Sequence, residues 1–467
     1  MQVIHRSALA VLLAVILLAV AAPVGAAPVM DDSYTVKSGD TLSQIGARCS
    51  VSWQELAVLN KMANPNRIYP GQVIELPEGA ECTTAQAAAP QPAAPEPASE
   101  EPADETAEEP AAEEPVQIAV ANAVPAPAGF GYGVQVHAPG GDPKSIEMVN
   151  GMGFNWIKQQ VEWHRHEGSK GAIDFGGLDN LVNQANGAGI NVLFSVVKAP
   201  GWARPGNTDF SVEGPPANPQ DFADFMGAMA GHFQGRVRAY EIWNEQNLHY
   251  EWGNEPLSAA RYVQLLCTTY RAIKAADPNA IVVSGALTPT GVNDGSRAID
   301  DVQYLRQMYN AGVRGCSNAI GAHPSGFNNP ATAGVGWSIP EEPQFKGHRS
   351  FYFRGTLEAY RNVMAAYGDG GKKIWVTEFG WASTDNLGAG PAGGYEYAAQ
   401  NTEGEQAQFL VDAFNLAKSW GWVGPMFVWN LNFAPVAGPA DEKSAFGLVR
   451  SDWSPRPAYS ALAGMPK

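Results

Sequence analysis

Tyr240-Glu241-Ile242-Trp243-Asn244-Glu245-Gln246-Asn247 and Ile374-Trp375-Val376-Thr377-Glu378-Phe379-Gly380-Trp381 are two runs rich in β-branched and aromatic residues, each leading to a carboxylate, Glu245 and Glu378. Short apolar runs of this kind read as strands buried on both faces. Their strand portions are placed at Val237 to Trp243 and Lys373 to Glu378. Six similar runs accompany them: Tyr132 to Val136, Trp156 to Gln160, Asn191 to Val197, Ile281 to Gly285, Ala319 to Ala322 and Gly424 to Trp429.

Amphipathic helical stretches separate the runs. From Thr402 to Trp420, Thr402 and Glu405 fit a capping box, while Ala407, Leu410, Val411 and Phe414 recur at helical spacing. From Asn218 to Phe233, Asn218 is the cap and Pro219 takes the first helical position. Eight strand–helix alternations predict an α/β fold, a (β/α)8 TIM barrel, over residues 129–467. A doubly wound sheet would carry a Gly-rich phosphate loop after an early strand; Gly388-Ala389-Gly390-Pro391 comes late, contains Pro and reads as a loop.

In such a barrel the chemistry lies at the C-terminal ends of the strands, where Glu245 ends the fourth and Glu378 the seventh. Two carboxylates at one mouth suit glycosidic bond cleavage, in which one protonates the leaving oxygen and the other attacks carbon or activates water. Glu245, as donor, is expected to have its pKa raised by the Glu378 charge and by burial. Twelve of the 13 tryptophans fall in this segment. Trp202, Trp381 and Trp429, near strand ends, are candidate platforms for pyranose rings, while Trp156 and Trp375 read as core. His137, Gln160 and Lys198 are candidate cleft residues.

Trp243-Asn244-Glu245 together with Thr377-Glu378-Phe379-Gly380 resembles clan A of the glycoside hydrolases, families 5 and 39 above all. The resemblance implies a retaining double displacement with Glu245 as acid/base and Glu378 as nucleophile. It implies that Asn244 holds the sugar 2-hydroxyl, that Trp429 lies under the reacting sugar, and that His323 of Ala322-His323-Pro324 belongs to the substrate site. The closing Phe446-Gly447-Leu448-Val449 and Pro455-Arg456-Pro457-Ala458-Tyr459 fit as well. Two positions depart from the family pattern. Lys158, placed with the substrate-binding residues, stands where Arg is common, and Ser325 stands where Tyr follows the His-Pro, so the usual hydroxyl is missing unless Tyr352 or another residue supplies it. The rival reading is a non-catalytic envelope protein whose degenerate barrel binds glycan.

Ahead of the barrel, Arg6, the 15 residues Ala8 to Ala22 and the small-residue exit Pro23-Val24-Gly25-Ala26 read as a signal peptide over 1–26. Residues 33–82 read as strand, helix, helix, strand (βααβ), with capping boxes at Thr41-Leu42-Ser43-Gln44 and Ser52-Trp53-Gln54-Glu55. Tyr34-Thr35-Val36-Lys37-Ser38-Gly39-Asp40-Thr41-Leu42, Leu59-Asn60 and Ile68-Tyr69-Pro70-Gly71-Gln72 resemble the LysM module. That implies binding of an N-acetylglucosamine polymer, peptidoglycan or chitin-like, between a wall of Gly39, Asp40, Thr41 and Leu42 and a wall of Asn64, Pro65 and Ile68. Residues 83–128 hold 16 Ala, 9 Pro and 9 acids without Lys or Arg, the composition of a disordered, extended spacer.

The four cysteines suit an oxidising compartment, and of three possible pairings the local one, Cys49 with Cys82 and Cys267 with Cys316, is expected. No zinc-type spacing occurs among the cysteines and eight histidines, so neither metal nor cofactor is expected. A net charge of -17 excludes a nucleic-acid partner. The expectation is a monomeric, exported, cell-wall-associated protein with a polysaccharide substrate and no membrane contact after leader cleavage.

Overall fold

The computed structural model describes residues 129–337 and 347–467, and in the N-terminal part 33–37, 42–49, 51, 55–56, 59–62, 72–77, 80 and 82. The expected leader, the spacer, residues 52–54 of the second capping box and the groove residues Gly39, Asp40, Thr41, Asn64, Pro65 and Ile68 lie outside the described residues.

The N-terminal unit pairs β1 (Ser33–Thr35) antiparallel with β2 (Val73–Glu75), and the helix Leu42–Arg48 runs between them in sequence. Val36, Leu42, Ile45, Leu56, Ile74 and Leu76 form its core, and Cys49 bonds to Cys82. The side chain of Leu42 is therefore a core residue and not part of a groove wall: as the first residue of its helix it turns onto β2, where burial of an apolar chain is favourable.

The C-terminal unit is a closed barrel of eight parallel strands: β3 (Tyr132–Val136), β4 (Trp156–Glu162), β5 (Asn191–Val197), β6 (Ala239–Ile242), β7 (Ile281–Ser284), β8 (Ala319–Ala322), β9 (Lys373–Phe379) and β10 (Val423–Val428). Each pairs with its neighbours in sequence, and β10 pairs with β3 and β9 to close the ring. Helices cover the outside, and side chains close their N-termini. Asp142 accepts from the amides of Lys144 and Ser145, Asn218 from that of Gln220, and Thr402 with Glu405 forms a complete capping box.

The interior is layered by the two-residue period of a strand. Trp156, Leu193, Ala239, Val283, Ala319, Trp375 and Phe427 plug its lower end, with the Trp156 and Trp375 rings edge to face at 5.3 Å. Two residues further along, the inward positions on β4, β5, β6 and β9 are Lys158, Ser195, Glu241 and Thr377, all fully buried. An apolar floor thus supports a polar layer directly beneath the mouth. The bridge Cys267–Cys316 ties the helix Ala259–Ala276 to the segment leading into β8.

Candidate active site

Beyond Ile242 the backbone leaves strand geometry: Trp243 and Glu245 take positive φ angles of 72° and 46°. Side chains other than glycine enter this region at a cost, so the turn needs anchors. The Trp243 indole donates to the carbonyl of Glu251 at 2.9 Å and packs on Trp252 and Phe222, while the Glu245 amide donates to the carbonyl of Ala286 at 2.9 Å. This clamped turn aims Glu245 into the mouth. Glu378 arrives on β9, and carboxylate oxygens of the two, with a ring nitrogen of His323, lie within 4.8 Å of one another.

The polar layer holds both carboxylates from below. Lys158 Nζ donates to Glu378 Oε1 at 2.7 Å and forms an ion pair with Glu241 Oε2 at 3.2 Å. Thr377 donates to Glu241 Oε1 at 2.6 Å and meets His323 Nε2 at 3.0 Å; His323 Nδ1 faces Glu245 Oε1 at 2.8 Å. Lys158 therefore lies fully buried beneath Glu378 and not among the residues that line the cleft, contrary to its sequence placement. A lysine fits because its single ammonium bridges two carboxylates from a fully buried site. His323 partners Glu245 and Thr377. Glu245, His323 and Glu378 could offer atoms to a metal, but the Lys158 ammonium already supplies positive charge there, so the set reads as proton machinery.

Burial would discharge Lys158, yet the Glu241 and Glu378 charges hold its pKa above the usual value. At Glu245 the outcome corrects the sequence expectation of a raised pKa. Burial pushes it up, but the hydrogen bond and charge of His323, the nearby Thr288 hydroxyl and the charge of Lys158 bring it below the usual carboxylate value. His323 moves the other way: burial lowers it, and the Glu378 and Glu245 carboxylates raise it overall. The resting proton thus sits on the imidazole side of the pair.

Around this centre, Glu251 is pushed up to about 8 by burial and by the Glu245 and Glu378 charges. Lys198, with φ 63°, donates to Glu162 at 2.5 Å on the β4–β5 side of the mouth. His137 is exposed overall, its ring 4.9 Å from that of Phe433, and the partial loss of water around the ring lowers its pKa. Trp429 follows β10, half-buried beside Phe433 at 5.3 Å, and Trp202 is half-buried with its indole donating to the Glu167 carbonyl at 3.0 Å. Asn244 is buried with Oδ1 unpartnered in the protein.

Trp381 is a correction, because it is core and not a platform. Its indole donates to the Asn329 carbonyl at 2.9 Å, and it packs on Phe353, Phe379 and Phe409; a Cβ on Gly326 would run into its ring. Tyr352 is fully buried with its hydroxyl on the Trp337 carbonyl at 2.7 Å, so it does not take the place left by Ser325. Sequence reasoning missed Glu241, Thr377 and Glu251. The first two carried a signal: they are polar inward positions two residues above the apolar floor residues Ala239 and Trp375, and a buried charge requires a partner. Glu251 had none, since only the turn beyond β6 brings it near.

Residues 34–77 match the LysM domain family, and residues 120–329 match the cellulase family, glycosyl hydrolase family 5. The N-acetylmuramoyl-L-alanine amidase XlyB of Bacillus subtilis is 45% identical over 56 residues, 12% of this chain and 18% of XlyB. The N-acetylmuramoyl-L-alanine amidase sle1 of Staphylococcus saprophyticus is 43% identical over 53 residues, 11% of this chain and 16% of sle1. The chain thus spans less than a fifth of either amidase. A family 39 glycoside hydrolase from Bacteroides cellulosilyticus WH2 superposes with a TM-score of 0.55 at 22% identity, covering 72% of this chain and 63% of that one. GH5_18 from Streptomyces cattleya, solved in complex with GlcNAc, gives 0.52 at 14%, covering 72% and 79%. At these identities the structural likeness is one of fold. The class defined by the barrel and the cellulase-family match is glycoside hydrolase. More particularly, the chain joins a segment that matches the LysM domain family to an eight-stranded barrel whose earlier part matches the cellulase family.

Proposed function

We propose that the barrel is a retaining hydrolase of O-glycosidic bonds in a polysaccharide, exported and kept on cell-wall glycan by the LysM domain. The observation that carries it is the carboxylate pair, Glu245 in the turn after β6 and Glu378 on β9, with oxygens within 4.8 Å of one another. Retaining enzymes hold the two carboxyl groups about 5–5.5 Å apart, whereas inverting ones need about 6.5–9.5 Å to admit a water. Glu378 attacks the anomeric carbon, with Lys158 supporting its charge, and Glu245 protonates the departing oxygen. Water activated by Glu245 then releases the glycosyl group. Asn244, whose buried Oδ1 has no partner in the protein, is assigned to the sugar 2-hydroxyl, and Trp429 supplies a ring face.

The LysM match and its amidase relatives support attachment to wall glycan, which would raise the effective concentration of the barrel near wall-associated polymer. A polysaccharide panel read by product size, comparing the wild type with Glu245→Gln and Glu378→Ala, tests the reading. Loss of products in Glu378→Ala and trapping of a fluorosugar on Glu378 are expected; wild-type turnover by Glu378→Ala would overturn it.

A further inference from the structure

Glu241 touches no solvent and lies one layer below Glu245 and Glu378, yet every polar neighbour it meets is a donor. Thr377 donates at 2.6 Å, the Ala286 amide at 3.2 Å, and the Lys158 ammonium stands 3.2 Å away. A threonine hydroxyl has one proton. With that proton spent on Glu241, Thr377 Oγ1 can only accept from His323 Nε2, 3.0 Å away. The imidazole is then obliged to carry a proton on Nε2, and Nδ1 is left facing Glu245 Oε1 at 2.8 Å.

We propose that Glu241 is a positioning residue for the proton-transfer steps: through Thr377 it fixes the Nε2–H form of His323, making Nδ1 the store from which Glu245 takes its proton. In the first half-reaction the Nδ1–H bond breaks as the Oε1–H bond of Glu245 forms, leaving a neutral imidazole. That proton passes to the glycosidic oxygen as its bond to carbon breaks. In the second half-reaction the attacking water gives its proton to Oε1, and the proton returns to Nδ1.

One proton shared between two groups is a property of the pair, and the opposed shifts of Glu245 and His323 agree with it resting on Nδ1. The other groups facing the pair are Glu378, with Oε2 3.8 Å from Nδ1, Lys158 below, Thr288 beside Glu245, and Glu251 at the mouth. None of these touches Nε2, so the form of the ring is set from the Thr377 side.

The proposal rests on Glu245 as the proton donor, but its test needs no substrate, so it fails or stands apart from the hydrolase reading. The full chain labelled with 15N-histidine is titrated, and the His323 ring signals are assigned by their loss in His323→Gln. The ring nitrogens distinguish the two neutral forms and the cation. Nε2–H in the neutral wild type, kept in Thr377→Ser and giving way to Nδ1–H in Thr377→Val, is the expected result. Should Thr377→Val not fold, Thr377→Ala is read the same way. A wild-type ring protonated on Nδ1 when neutral, or a Thr377→Val ring indistinguishable from wild type, would overturn it.

Discussion

His323 Nδ1 and Glu245 Oε1 stand 2.8 Å apart, and this contact makes the ionisation of each depend on the other. Burial disfavours both charges, yet Glu245 lies below its ordinary 4.5 and His323 above its ordinary 6.5. The lowered carboxyl stabilises the fold above pH 4.5, and this is lost as pH falls through its folded value. The raised imidazole stabilises it below pH 6.5, and this is lost as pH rises through its folded value. The contribution of the pair should therefore be greatest between pH 4.5 and 6.5. Urea unfolding over a pH series should show His323→Gln lacking the alkaline decline; a decline equal to wild type would count against the contact.

Glu251 should titrate near 8 at the mouth of the site. Its charged form is disfavoured by the fold, so stability should fall as pH climbs from 4.5 towards 8. Glu251→Gln should remove that slope in the same unfolding series. An unchanged slope would place the carboxyl in water.

Lys158→Met leaves Glu241 and Glu378 facing one another without their cation. Removing one partner of a buried pair costs about 3–5 kcal/mol, to be read as a drop in unfolding free energy, and kcat should fall with it. Lys158→Arg should not be neutral either, because the larger guanidinium has to enter a fully buried site. A Lys158→Met variant as stable as wild type would show that the bridge does not hold in solution.

Trp381 and Trp429 should separate in their effects. Trp381→Ala removes a fully buried ring at an expected cost of about 3–5 kcal/mol in stability. Trp429→Ala, at a half-buried position, should raise KM by about tenfold, equal to about 1.4 kcal/mol of lost binding, with little change in unfolding. Reversed results would return Trp381 to the cleft.

The Cys267–Cys316 bridge spans 49 residues, a loop whose closure stabilises by about 4 kcal/mol in the chain-entropy description. Cys267→Ser with Cys316→Ser should lower the unfolding free energy by up to that amount. Active-site chemistry should persist, since neither cysteine is on a strand that carries Glu245 or Glu378.

Much of the fold is written in local pattern. Strands such as Asn191–Val197, buried along their whole length, are mostly apolar, and helices such as Glu403–Trp420 must close their exposed amides, so period and caps expose both in the chain. The carboxylates were legible for a related reason: two glutamates, each close to the C-terminal end of an apolar strand, point together to the barrel mouth. Trp381 was not, because it lies two residues beyond β9, where the strand period no longer says which way a side chain turns, and Gly326 and Phe353 decide it.

By itself the sequence determined the eight-stranded barrel and the two segments, after the fourth strand and at the end of the seventh, that carry Glu245 and Glu378; among the cysteines it favoured the local pairing that the structure shows. The tertiary structure alone decided where the proton rests. Lys158 and Glu378 are 220 residues apart and His323 and Glu245 are 78, yet they meet at 2.7 Å and 2.8 Å. Protonation follows from such distances and from exclusion of water, which exist only once the barrel has closed, and they reversed the direction of the Glu245 shift that its role alone suggested.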